Sequence, residues 1–214
     1  MEREGVIKFA MDFSEQAAPR HEGLPELETW RRLLFRVGVI GQRADRYVGL
    51  AFGNVSLRSV EGEFLISGTQ TGGMPTLNST AYAHVLEFDM DRNWLRAAGK
   101  IKPSSEAMTH GAIYEAVPTA NCVMHIHSPE IWHCALHRQI DVPVTAEIHS
   151  YGTPGMARAI YATAITFPGQ PICMSGHEDG VIAYGTTPAQ AGRRLLLSLA
   201  EAITRATSSS FFTE

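Results

Sequence analysis

From Leu24 onward, apolar residues recur at three- and four-residue steps, at Leu27, Trp30, Leu34 and Val37, which predicts an amphipathic helix ending near Gly38 or Gly41. Residues 1–22 show no clear period and are expected to form an irregular arm, leaving 23–214 as the folded domain. Beyond the helix the pattern shortens. NVSLRSV and EFLIS flank the turn EGE, and HVLEFDM and NWLRAAG flank DR, which predicts two hairpins and an antiparallel first half. After Pro103, the segment SSEAMTHGAIYEAV predicts a helix capped by Ser104 or Ser105 and running to about Val117. A strand around CVMHIH follows, then a helix from about Pro129 to Arg138 and another over PGMARAIYATAI. PICMS and VIAYG predict two more strands, and Thr187-Pro188 opens a last helix with proline in its first turn. The tail TSSSFFTE, with two aromatics after a polar run, is expected to dock on the domain. Hairpins interspersed with helices favour an α/β sheet covered by helices.

Composition narrows the function without changing this picture. A chain of 214 residues with 44% hydrophobic content can close one substantial core, and no repeat or linker divides it. The formal net charge of -4 argues against a surface that tracks a phosphate backbone, so the expected partner is a small molecule and not nucleic acid. No apolar run reaches the roughly 20 residues needed to span a bilayer, and MEREGVIKFAMD carries acidic residues where a signal peptide wants basic ones. The expected location is cytoplasmic. Cys122, Cys134 and Cys173 show no C-x-x-C spacing and read as reduced core thiols.

The chemistry concentrates in VMHIHSP. On a strand, His125 and His127 share a face with Cα atoms roughly 6.5 to 7 Å apart, so both imidazoles can converge on one ion. Val123 shares that face, and Met124 and Ile126 point the other way. His177, in the glycine-flanked turn of MSGHEDGVIAYG, is the candidate third ligand. Three neutral histidines suit Zn²⁺ or another divalent metal ion and leave coordination positions open, as a catalytic metal requires. Ordinary hydrogen-bonded histidines are the alternative. His133 and His137, four apart on a predicted helix, form a rival pair without an adjacent acid or third ligand, and His149 reads as a pocket acid or base or as a loop cap.

An acid and an anion cradle stand beside the candidate ligands in the sequence. Glu106 follows paired serines one turn into the predicted helix, whose N-terminus offers unpaired N–H groups that attract an anion, and a carboxylate beside a metal can move a proton. A plain helix-start carboxylate is the alternative. Asn54, at the entrance to a strand, and the turn of Ser67, Gly68, Thr69 and Thr71 are candidate oxyanion contacts, or simple hairpin turns.

In order, GNVSLR, ISGTQTGG, PSSEAMTHGAIYEAVPTANCVMHIHSP and GHEDGVIAYG resemble the class II aldolase/adducin family over approximately Leu27 to Ala206. The resemblance implies a three-layer α/β/α sandwich around a central, mostly antiparallel sheet, and a homotetramer. It implies that His125, His127 and His177 hold a divalent metal, usually zinc, that Glu106 is the catalytic acid/base, and that Asn54, Ser104 and Ser105 bind a phosphate. Two departures stand out. HEDG inserts Glu178 and Asp179 where the family has glycine directly after the histidine, and SGTQTGG aligns ambiguously with the phosphate loop, so the handle is a phosphate or another oxyanion such as a carboxylate. Phe211 and Phe212 stand where some relatives use a tyrosine as proton donor.

The expected function is therefore a metal-dependent aldehyde-lyase. It would carry out retro-aldol cleavage of a ketose phosphate or related hydroxycarbonyl compound through a metal-stabilised enediolate. Epimerisation and dehydration begin from the same chelate and remain open, as do a non-catalytic adducin-like assembly module and a metal-binding sensor.

Overall fold

A computed structural model describes residues 5–60 and 62–211. The elements in chain order begin with strand β1 (Ala10–Glu15), helix α1 (Leu24–Arg36) and the short strands β2 (Gly41–Gln42) and β3 (Ala51–Phe52). Strands β4 (Asn54–Arg58), β5 (Phe64–Ser67), β6 (Tyr82–Asp89) and β7 (Trp94–Gly99) follow. Then come α2 (Ala107–Ala116), β8 (Cys122–His127), α3 (Pro129–Leu136) and α4 (Pro154–Thr166). The chain continues through β9 (Ile172–Cys173), β10 (Gly180–Gly185) and α5 (Pro188–Phe211).

Eight strands form one sheet in the order β1-β7-β6-β5-β4-β8-β10-β9, and β2 pairs with β3 apart from it. Every pairing in the large sheet is antiparallel except that of β1 with β7. Two apolar cores cover its faces. α1, α3 and α5 enclose the core that holds Leu27, Leu34, Met124 and Ile126; α2 and α4 enclose the other, with Val123, Ile113 and Ile160. The result is an α/β/α sandwich with a mostly antiparallel sheet, as expected.

Local signals account for most element ends. α1 buries Leu24, Leu27, Arg31 and Leu34 along one stripe. It stops in a Schellman turn, where Gly38 N–H donates to the Phe35 carbonyl at 3.0 Å and Val39 N–H to the Leu34 carbonyl at 3.2 Å. Gly38 takes φ +81°, a conformation that favours glycine. Ser128 caps α3 by accepting the Ile131 N–H at 3.3 Å, so β8 passes directly into a helix.

Two expectations need correction. The arm over 1–22 is not irregular throughout, because Ala10–Glu15 adds an edge strand to the sheet; the parallel pairing that recruits it depends on β7, about eighty residues away, and leaves no local period. α2 starts at Ala107 with Glu106 as its N-cap, so neither serine caps it and Glu106 is not one turn inside it. α5 continues through Phe211, so the start of TSSSFFTE is helical, while the side chains from Ser208 onward, and with them the docking expectation, lie outside the described residues.

Candidate metal centre

β8 lies between β4 and β10, so all six of its residues are buried. His177 reaches it through a tight turn, where its N–H donates to the Met174 carbonyl at 3.1 Å and its own carbonyl accepts the Gly180 N–H at 2.9 Å. Gly180 is in turn the register partner of His127. The ring centroids of His125, His127 and His177 are 4.9, 5.0 and 4.7 Å apart, and one nitrogen from each ring lies within 4.8 Å of the others.

His125 shows why this cluster fits an ion. Its Nδ1 lies 3.2 Å from the Val181 carbonyl, which can only accept, so Nδ1 carries the proton and Nε2 presents a lone pair. That Nε2 is buried and has no hydrogen-bond partner among the described residues, an arrangement costing about 1–3 kcal/mol unless something satisfies it. A divalent cation held by the three rings would do so. Burial, then His177 and His110, holds the His125 pKa well below the ordinary histidine value; burial, then His177, His125 and Arg46, does the same for His127. Both rings are neutral at pH 7, the form that ligates metal.

Glu106 is 1% exposed, and its Oε1 lies 3.8 Å from His177 Nδ1. It is the N-cap of α2, and Ser104 Oγ accepts its backbone N–H at 3.3 Å. Four and eight residues further along α2, His110 and Tyr114 continue the same stripe; Ser56 Oγ lies 2.7 Å from His110 Nδ1 and 2.7 Å from the Tyr114 hydroxyl. Burial lowers the His110 pKa to about 3, so this ring is a neutral strut.

Asn54, Gly68, Thr69, Thr71, Ser104 and Ser105 line one small cavity of about 20 Å³, the size of a single water. Asn54 is the register partner of His125, which fixes this cavity next to the histidines. Ser67 does not line it; its Oγ accepts the Val55 N–H at 3.1 Å. Gly68 and Thr69 donate their N–H groups to the Ala81 and Lys102 carbonyls at 2.8 and 2.9 Å, which leaves them as wall and not as cradle. The sequence shows a glycine turn but not where its amides point.

The remaining candidates separate. His133 on α3 and His137 at its C-cap are exposed and lie outside the cluster. His149 pairs with Glu147 at 3.0 Å on a partly exposed loop. Of the inserted pair, Glu178 is exposed and Asp179 is buried. Sequence reasoning passed over three aromatic walls of the centre. Tyr47 meets His127 edge-on at 4.7 Å, Phe52 lies 5.5 Å from His127, and Tyr151 stacks on His177 at 5.0 Å. Only the tyrosine in HSYG stood near a quoted histidine; the other two sit in segments whose approach depends on β2 and β3.

A family model described as "Class II Aldolase and Adducin N-terminal domain" matches residues 43–203. Methylthioribulose-1-phosphate dehydratase of Acidiphilium cryptum (strain JF-5) is 29% identical over 167 residues, covering 76% of this chain and 67% of that protein. Among solved structures, YgbL from Klebsiella pneumoniae superposes with a TM-score of 0.68 at 19% identity, covering 87% of this chain and 89% of that one. L-fuculose-1-phosphate aldolase from Thermus thermophilus gives 0.66 at 18% identity, covering 87% and 94%.

Proposed function

Because this chain belongs to the class II aldolase and adducin family, we propose that it is a divalent-metal-dependent lyase acting on a small hydroxycarbonyl compound with an anionic end, a ketose phosphate in the leading reading. One observation carries this: three buried histidines with converging nitrogens, and the Glu106 carboxylate 3.8 Å from His177. His125, His127 and His177 would hold the ion, with zinc the best match to three neutral imidazoles. A bound divalent ion supplies Lewis-acid stabilisation of negative charge on the substrate's carbonyl oxygen.

The chain's own groups do the rest. Glu106 would take the proton of the hydroxyl on the carbon whose carbon–carbon bond breaks, and return it to the other carbon of that bond. Asn54, Ser104 and Ser105 bind the anionic end in the adjoining cavity, which must widen from about 20 Å³ to accept a phosphate. Buried side chains around the trio keep water from competing for the proton. A homotetramer and a cytoplasmic location belong to the same reading. Exposed Ile148 and Leu197 would be covered by a subunit contact, and the three cysteines are free thiols.

A second reading is dehydration of a phosphorylated ketose, supported by the dehydratase relative. It uses the same ligands and the same carboxylate with a different leaving group. The test is metal analysis followed by a screen of ketose phosphates, monitored separately for aldehyde release and for loss of water. His125→Ala is expected to lose metal and turnover together. Glu106→Gln is expected to keep the metal and lose about 10²–10⁴-fold in rate. Full turnover in Glu106→Gln would remove the assigned acid/base, and a metal-loaded protein inert on every ketose phosphate would favour an assembly module.

A further inference from the structure

We propose that Asp179 is a positioning residue that clamps Tyr47 against His127 and so fixes the orientation of that imidazole within the histidine trio. The geometry joins three segments at one carboxylate. Asp179 Oδ2 accepts the Tyr47 hydroxyl at 2.6 Å and Arg46 Nη2 at 3.0 Å. The Asp179 backbone carbonyl accepts the N–H of Ser128 at 2.8 Å, immediately after His127. Asp179 itself follows His177 by two residues. A single side chain therefore ties the turn that carries His177 to the loop that presents Tyr47, while its backbone secures the end of β8.

Backbone strain shows that this clamp is built and not incidental. Tyr47 and Val48 take φ of +49° and +57°, in the left-handed region that bulky and β-branched residues avoid at a cost of about 1–2 kcal/mol each, and Asp179 takes +62°, which an aspartate tolerates. Val48 is 70% exposed, so its own packing offsets nothing. The loop is held instead by what Tyr47 touches: Asp179 through its hydroxyl, and His127 and Phe52 through its ring at 4.7 and 5.0 Å. Arg46 completes the clamp with its guanidinium 4.9 Å from the Tyr47 ring and 5.2 Å from Phe52. An imidazole braced edge-on by a fixed ring loses rotational freedom about χ2, and outer residues that orient metal-binding histidines typically contribute about 10–100-fold in metal affinity.

The consequence for metal rests on the reading above; the effect on His127 does not. Tyr47→Phe removes one hydroxyl and keeps the ring, and Asp179→Asn keeps a residue that tolerates positive φ while weakening the acceptor. Two readouts on the purified full chain separate the two ideas. In ¹⁵N-histidine NMR of metal-free protein, His127 ring signals are expected to shift in each variant, and no further in the double variant, while exposed His133 and His137 stay in place. In Co²⁺ titrations followed by visible absorption, affinity is expected to fall about 10–100-fold with altered bands. Unmoved His127 signals, with Co²⁺ affinity and spectrum equal to the parent's, would overturn the clamp and leave the metal centre standing. A parent protein that takes up no Co²⁺ defeats the metal reading alone, and the ring signals then decide the clamp. If Asp179→Asn fails to fold, Tyr47→Phe carries both measurements.

Discussion

His110 and His125 are both fully buried imidazoles, yet their surroundings differ. Each bonds through Nδ1 and buries an Nε2 that has no hydrogen-bond partner among the described residues, but His125 clusters with two more histidines, whereas His110 shares Ser56 with Tyr114 and binds the helix to the sheet. Burial keeps the folded-state pKa of His110 near 3, against 6.5 in its ordinary environment. The unfolded chain therefore binds a proton below about pH 6.5 that the folded chain refuses until about pH 3. Stability from this group is complete above pH 6.5 and is lost as pH falls, approaching about 1.4 kcal/mol per unit. Urea unfolding between about pH 7 and pH 4.5 should show this slope added to those of His125 and His127, and His110→Asn should flatten the total by about one proton whatever its absolute stability. Equal slopes in the two proteins would contradict a neutral His110.

Among the elements, α1 is set by its own residues. Its apolar stripe, proline in the first turn and Gly38 in the Schellman turn are all local, and its predicted span agrees with Leu24–Arg36. No atom lies within 4 Å of a Cβ added at Gly38, so Gly38→Ala tests backbone strain alone and should cost about 1 kcal/mol with metal uptake unchanged. Thermal melting together with metal analysis would check this; an unchanged melting temperature would mean that the turn relaxes. The start of α2 behaves differently. Ser104 and Ser105 look like caps in sequence, but Ser104 N–H donates to the Ser67 carbonyl at 3.2 Å, which holds the serines in the cavity wall and delays the helix to Ala107.

At the scale of the whole molecule, β1 is the element that local pattern does not disclose. It contributes six register pairs to β7, follows directly on Phe9, which is buried in the α2–α4 core, and lies next to Lys8, whose Nζ donates to the Tyr151 carbonyl at 3.1 Å. Removing residues 1–15 should cost at least about 3 kcal/mol from the lost Phe9 packing alone, and should bare the edge of β7. A lower urea midpoint and growing light scattering are the expected outcomes. A truncated chain as stable and monodisperse as the parent would show that β1 adds nothing to the sheet.

Sequence by itself determined the presence of the helices, both hairpins and the facing pair His125 and His127, because each depends on periodicity or on residue types whose pattern is local. Tertiary structure alone decided that the nitrogens of the three histidines come within 4.8 Å of one another, that Ser67, Gly68 and Thr69 spend polar groups on neighbouring backbone, and that Tyr47 leans on His127. These outcomes depend on contacts between residues far apart in the chain and on positive φ values at Tyr47, Val48 and Asp179. Neither leaves a periodic trace, since a hydrogen-bond partner or a left-handed residue is selected by whatever the fold brings against it.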